Sequence, residues 1–188
     1  MINLFYPASV KKEYQKIYSH KNRGLDLEHL INITNDYYLN NNIAVIYKKP
    51  TPITVSKVDY KNNKVTEGFY KTPSTLDYNG IYKGKYIDFD AKETVKKTSF
   101  PLSNIHLHQI KHIERIINHG GISFIVLKMN GFYYLLKGED LLDFIKNNER
   151  KSIPFEYIDN KCKKIKESIT PALDYLKIID EEYLGGSK

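Results

Sequence analysis

Two carboxylates and an ammonium stand in the order Asp77, Asp90, Lys92: an acid, a gap, then Asp-x-Lys. Within Lys85-Tyr-Ile-Asp-Phe-Asp-Ala-Lys-Glu93, strand alternation puts Asp88, Asp90 and Lys92 on one face and Ile87, Phe89 and Ala91 on the other. One face is ionic and the other apolar. Such a face suits a divalent cation and an anionic substrate. The carboxylates hold the metal, the metal polarises a phosphate and activates water, and the lysine stabilises developing charge or orients the nucleophile. Surface ion pairs satisfy the same spacing, so the pattern alone is weak. Asp88 shares the face of Asp90 and competes with it; because Asp77 fits the spacing better, Asp88 reads as either a residue that supports the site from behind or a salt-bridged one.

The elements that must carry these residues follow from periodicity. Leu27, Leu30, Ile31 and Tyr38 recur at helical spacing over residues 25–39, with Glu28 at the edge of the stripe and Asn40-Asn41-Asn42 as the stop. A β-rich run over residues 43–47 is closed by Lys49-Pro50-Thr51-Pro52. Residues 53–60 and 64–70, joined across Asn62-Asn63, predict a hairpin with too few apolar residues to bury both faces, so it should project. A second hairpin, 77–82 with 85–93 around Gly84, folds Asp77 back beside Asp90. Ser103 is expected to cap a helix running to His119, stopped by Gly120-Gly121, with Ile110, Ile113 and Ile117 on its buried face. Strands at 122–129 and 132–136 flank the hairpin signal Asn130-Gly131. A helix around 141–145 and a C-terminal helix interrupted by Pro171 complete an α/β chain: a mixed sheet with helices on its faces and no internal repeat.

The 188 residues suit one domain spanning 1–188, and 29 Lys plus Arg against 22 Asp plus Glu leave a net charge of +7. That charge is concentrated. Lys11, Lys12, Lys16, Lys21 and Arg23 face Glu13 alone near the N-terminus, which predicts a flexible basic arm over residues 1–22. Six lysines lie between Lys48 and Lys71, and a third basic run covers 161–166. Each run alone reads as a solvated face; three of them around a carboxylate cluster point to a polyanion such as nucleic acid. The longest apolar stretch, Ile122 to Leu127, is too short to span a membrane. A single cysteine, Cys162, and the lack of a secretory signal make the cytoplasm the expected compartment. His108 and His112 have the i, i+4 spacing of a zinc pair, but neither a Cys pair nor HExxH accompanies them, so a DNA-facing or hydrogen-bonded role is expected.

The stretch Lys71-Thr-Pro-Ser-Thr-Leu-Asp-Tyr-Asn-Gly-Ile-Tyr-Lys-Gly-Lys-Tyr-Ile-Asp-Phe-Asp-Ala-Lys-Glu-Thr94 is followed by Thr98-Ser-Phe-Pro-Leu102 and then by His108-Gln109. Together they resemble the RecU family of Holliday junction resolvases. The likeness extends from Asn22-Arg23-Gly24 through Ile43-Ala-Val-Ile-Tyr-Lys-Lys-Pro-Thr-Pro52 to Arg150-Lys-Ser-Ile-Pro154. It implies a restriction-endonuclease-like PD-(D/E)xK fold and a homodimer that cuts four-way DNA junctions by paired symmetric nicks in recombination and repair. It also implies Mg²⁺ or Mn²⁺, one or two ions per active site, and a branch-migration helicase and a recombinase as companions. Carried over by motif, Thr75, Asp77, Asp90 and Gln109 would hold the metal and Lys92 would stabilise the transition state. Position 90 carries Asp where the family usually has Glu, one methylene longer. The projecting hairpin, residues 51–71, corresponds to the stalk that enters the junction's central opening. Lys57, Lys61 and Lys64 suit phosphates, while Phe69, Tyr70 and Tyr60 either meet exposed bases or pack at the stalk base. Arg23 looks like a phosphate contact, and Glu28 is either an ordinary helix acid or joined to the metal through a water. Two other classes use parts of the same pattern: a restriction or repair endonuclease on linear duplex, which needs no stalk, and a non-catalytic DNA-binding modulator of recombination, which needs no Asp77, Asp90 or Lys92.

Overall fold

The computed structural model describes residues 26–70 and 75–185; Arg23 and the basic arm over 1–22 lie outside the described residues. The first helix, α1 (Leu27–Asn40), is capped by Asp26, whose carboxylate accepts from the His29 N–H at 2.7 Å. Its buried stripe is Leu27, Leu30, Ile31, Thr34, Asn35 and Tyr38, and it stops at the asparagine run, where Asn42 takes a positive φ of 53°.

Strands β1 (Val45–Lys48), β4 (Tyr78–Tyr82), β5 (Lys85–Glu93), β7 (Ile122–Met129), β8 (Phe132–Lys137) and β10 (Lys163–Ile165) form one mixed sheet in the order β1-β4-β5-β7-β8-β10. β5 and β7 are parallel and every other pair is antiparallel. The crossover between the parallel strands carries helix α2 (Leu107–Asn118). On one face Tyr78, Phe89 and Phe124 stack, with ring centroids 4.8 and 4.6 Å apart, and pack with α1 and with Tyr175 and Ile179 of α5 (Tyr175–Tyr183). On the other face Ile125, Leu127, Tyr134 and Leu136 pack with Ile113 of α2, with Leu141 and Phe144 of α3 (Gly138–Asn147), and with Ile158 of α4 (Phe155–Lys161). β1 lies so close to β4 that a Cβ at Gly80 would sit 2.0 Å from the Val45 carbonyl oxygen. Only glycine fits there.

The predicted stalk is a separate two-stranded sheet, β2 (Ile53–Asp59) with β3 (Lys64–Tyr70), pairing Ile53 with Tyr70 at one end and Asp59 with Lys64 at the other, with the register shifted around Lys57. Its residues are exposed throughout, with Asp59 alone half-buried. Asp59 accepts from the N–H groups of Lys61 and Asn62, and Asn63 supplies the positive φ that closes the turn.

Two expectations are corrected. α2 begins at Leu107 rather than beside Ser103, which sits in a 3₁₀ turn, Leu102–Asn104. The cause is tertiary: β6 (Ser99–Pro101) pairs with β9 (Ser152–Pro154), and residues 102–105 must turn out of that pairing before a helix can start. The C-terminal helix interrupted by Pro171 is instead α4, the edge strand β10 and α5. Within β10, Ile165 is buried while Lys163 and Lys164 are exposed, so the basic run becomes a sheet edge. No helix among the described residues is long and apolar enough to cross a membrane.

Candidate active site

The antiparallel register of β4 and β5 pairs Tyr78 with Phe89, and one step further places Asp77 opposite Asp90. Lys92 follows Asp90 on the same face of β5. That face turns toward α2, whose first turn brings Gln109 down onto Asp90: the Gln109 amide nitrogen donates to Asp90 Oδ2. Lys92 Nζ lies 2.9 Å from the same oxygen, and Asp90 Oδ1 accepts from the Ala91 N–H at 2.7 Å. Asp90 is fully buried and Asp77 half-buried. Burial pushes the Asp90 carboxyl up, to about 6; Lys92 pulls it down, and the neighbouring Asp77 charge pushes it up further.

Asp77, Asp90, Lys92 and Gln109 are thus brought together. Gln109 presents its NH₂ group to the carboxylate, while its oxygen accepts from the His106 N–H at 3.0 Å at the start of α2. Thr75 is half-buried and makes no side-chain hydrogen bond among the described residues. Glu28 pairs with Lys48, whose register partner is Tyr78. Asp88 is salt-bridged, one of the two roles expected for it. It is fully buried, with Lys49 Nζ at 2.7 Å, the Tyr86 hydroxyl donating at 2.7 Å and His112 Nε2 at 3.4 Å, all on Oδ2. Tyr86 shares the face of Asp88 by strand alternation, whereas Lys49 and His112 were not legible as site neighbours, because the end of β1 and α2 reach Asp88 only through strand order and helix packing.

A divalent cation fits this donor set. Among the described residues no three Asp, Glu, His or Cys side chains close around one point. Two carboxylates side by side are nonetheless hard oxygen donors of the kind a divalent cation accepts while it keeps several waters.

On the stalk, Lys57 pairs with Glu67 at 2.8 Å, and Lys61 and Lys64 lie exposed at the turn. Phe69 is 62% and Tyr70 83% exposed, and Tyr60 at the tip is 85% exposed, so packing at the stalk base does not account for them.

The family model described as "Recombination protein U", RecU, matches residues 22–181. The "Holliday junction resolvase RecU" of Bacillus cereus (strain G9842) is 46% identical over 176 residues, covering 89% of this chain and 88% of that protein. The protein of the same description from Streptococcus thermophilus (strain ATCC BAA-491 / LMD-9) is 44% identical over 200 residues, covering 100% of both. Among solved structures, Archaeoglobus fulgidus Hjc, described as a Holliday junction resolvase from an archaeal hyperthermophile, matches at a TM-score of 0.35 and 12% identity. That match covers 73% of this chain and 88% of that one. The family match over most of the chain, with relatives well above 30% identity, is decisive: this chain belongs to the RecU family.

Proposed function

We propose that this chain is a single-domain Holliday junction resolvase, a metal-dependent crossover junction endodeoxyribonuclease. It acts as a homodimer in the cytoplasm and cuts four-way DNA junctions by paired symmetric nicks during recombination and repair, beside a branch-migration helicase and a recombinase. The observation that carries this reading is the meeting of Asp77, Asp90 and Lys92 at one end of the sheet, beside the point where the stalk leaves it. Its similarity to Holliday junction resolvases of Bacillus cereus and Streptococcus thermophilus supports the junction as substrate.

Asp77 and Asp90 would hold Mg²⁺ or Mn²⁺, one or two ions per site, with Thr75 two residues upstream at the rim. When bound, the cation supplies a Lewis acid for the phosphate and a more acidic water. Lys92 is oriented by its contact with Asp90, which keeps an ammonium ready for the charge that builds on the scissile phosphate. Gln109 holds Asp90 from the helix side, so the carboxylate does not swing when substrate arrives. Lys57, Lys61, Lys64, Phe69 and Tyr70 on the stalk, together with Arg23, supply phosphate and base contacts.

The test incubates the protein with a synthetic four-way junction and the matching linear duplex in Mg²⁺, Mn²⁺ or EDTA. Opposed nicks in the junction alone, abolished by EDTA, are expected. Equal cutting of both substrates favours a duplex nuclease and overturns the proposal, as does no cutting with either metal.

A further inference from the structure

We propose that Lys49 is a positioning residue that ties the neck of the stalk to the carboxylate strand and thereby sets the place of Asp77. This rests on the reading of Asp77 and Asp90 as the metal site.

The stalk is an insertion between Lys49 and Asp77. The chain leaves the sheet after Lys49 through Pro50-Thr51-Pro52 and is back in the sheet at β4. The two ends of that excursion are joined by one hydrogen bond, Lys49 N–H to the Asp77 carbonyl at 2.7 Å, which extends the β1–β4 register by one step beyond Lys48 opposite Tyr78. Asp77 precedes the first residue of β4, so this bond fixes its backbone where the regular ladder has ended.

The side chain makes the second attachment. Lys49 Nζ crosses the β4 row to reach Asp88 Oδ2 at 2.7 Å on β5, and Asp88 stands two residues before Asp90 on the same face. This is a buried attachment: the Asp88 side chain is 0% exposed and that of Lys49 21%. The exposed stalk pair Lys57–Glu67 is 73% and 45% exposed and is open to exchange with water and salt. Tyr86 and His112 add further contacts to Oδ2, and Lys49 is the only lysine or arginine bound to Asp88 among the described residues. A wholly buried carboxylate requires such a countercharge, so this pair persists. Lys49 therefore grips the Asp77 segment with its backbone and the Asp90 strand with its side chain. The proline that follows it narrows its backbone to extended conformations, leaving few soft torsions between the stalk and this bracket. A stalk seated in a junction would bear directly on the separation of Asp77 from Asp90.

The test uses the full chain with Lys49→Met, Lys49→Arg and the double variant Lys49→Met/Asp88→Asn, which removes the buried lone charge together with its partner. Three quantities are read: junction affinity, single-turnover cleavage against Mg²⁺ concentration, and Mn²⁺ affinity of the DNA-free protein by electron paramagnetic resonance. Lys49→Met should keep junction affinity within about twofold, lose about tenfold or more in cleavage and weaken Mn²⁺ binding severalfold, as losses behind a metal ligand do. Lys49→Arg, which keeps a cation on Asp88, should recover most of both losses. The double variant should regain thermal stability but neither the cleavage rate nor Mn²⁺ affinity. If the double variant cuts and binds Mn²⁺ like the wild type, Lys49 only neutralises Asp88 and the proposal is overturned. Wild-type behaviour of Lys49→Met overturns it too. A wild-type protein that binds Mn²⁺ but cuts no junction refutes the resolvase reading alone, and the Mn²⁺ comparison still decides for or against Lys49. A wild-type protein that binds no Mn²⁺ overturns the Lys49 proposal, and junction cleavage then decides the resolvase reading by itself.

Discussion

Asp90 holds its negative charge where the fold least favours it. Its carboxyl is fully buried, raised to about 6 from the ordinary Asp value of 3.8, and steadied by Lys92 and Gln109. A raised acid stabilises the fold fully below its unfolded value, and that contribution is lost as pH rises through the folded one. In EDTA at pH 7.5, Asp90→Asn should therefore be more stable than the wild type by about 3 kcal/mol, with the gain vanishing near pH 4. Urea denaturation at the two pH values checks this, and an identical difference at both sinks the account. Asp77→Ala and Lys92→Ala should abolish junction cleavage while leaving junction binding intact, as followed by gel shift and by nicking of labelled strands. Normal cutting by either variant would mean that the reacting groups lie elsewhere. The pattern Asp77, Asp90, Lys92 was readable because alternation along one strand needs no tertiary information. The Lys49 and His112 contacts of Asp88, and the way Gln109 turns its amide, were not, because they depend on which strand and which helix face arrive from elsewhere in the chain.

At the scale of elements, the hairpins were the most legible parts. Turn residues mark them directly: Asn63 in the stalk, Lys83-Gly84 between β4 and β5, and Asn130-Gly131 between β7 and β8 all take positive φ. Short strands without such marks, β6, β9 and β10, escaped notice because three residues carry no period, and their pairing alone makes them strands. The stalk stands clear of the sheet with its lysines and aromatics exposed, as binding to diverging duplex arms requires. Replacing Lys57, Lys61 and Lys64 by Ala should weaken junction binding and reduce the slope of log affinity against log salt by roughly two to three. Fluorescence anisotropy across a salt series checks this. Lys57 is already paired with Glu67 and should contribute least. Unchanged affinity and slope would leave the hairpin a structural feature only.

At the scale of the whole molecule, a four-way junction offers two equivalent scissile positions, and a dimer with matching two-fold symmetry addresses both. Sedimentation should therefore give twice the chain mass. A mixed dimer of wild type and Asp77→Ala should nick one strand of each junction and leave the opposed strand whole, as seen on denaturing gels. Efficient paired cutting by the mixed dimer would mean that one site serves both strands in turn. The sequence by itself determined the ionic face of β5, the apolar stripe of α1, the exposed hairpin and the excess of lysine, because each depends on residues close in the chain and on a period of 2 or 3.6. Only the tertiary structure decided that α2 delivers Gln109 to Asp90 and that Lys49 joins the stalk neck to Asp88. Those contacts arise from strand order and register, which are set by the burial of whole faces against α1, α2 and α5 rather than by local sequence.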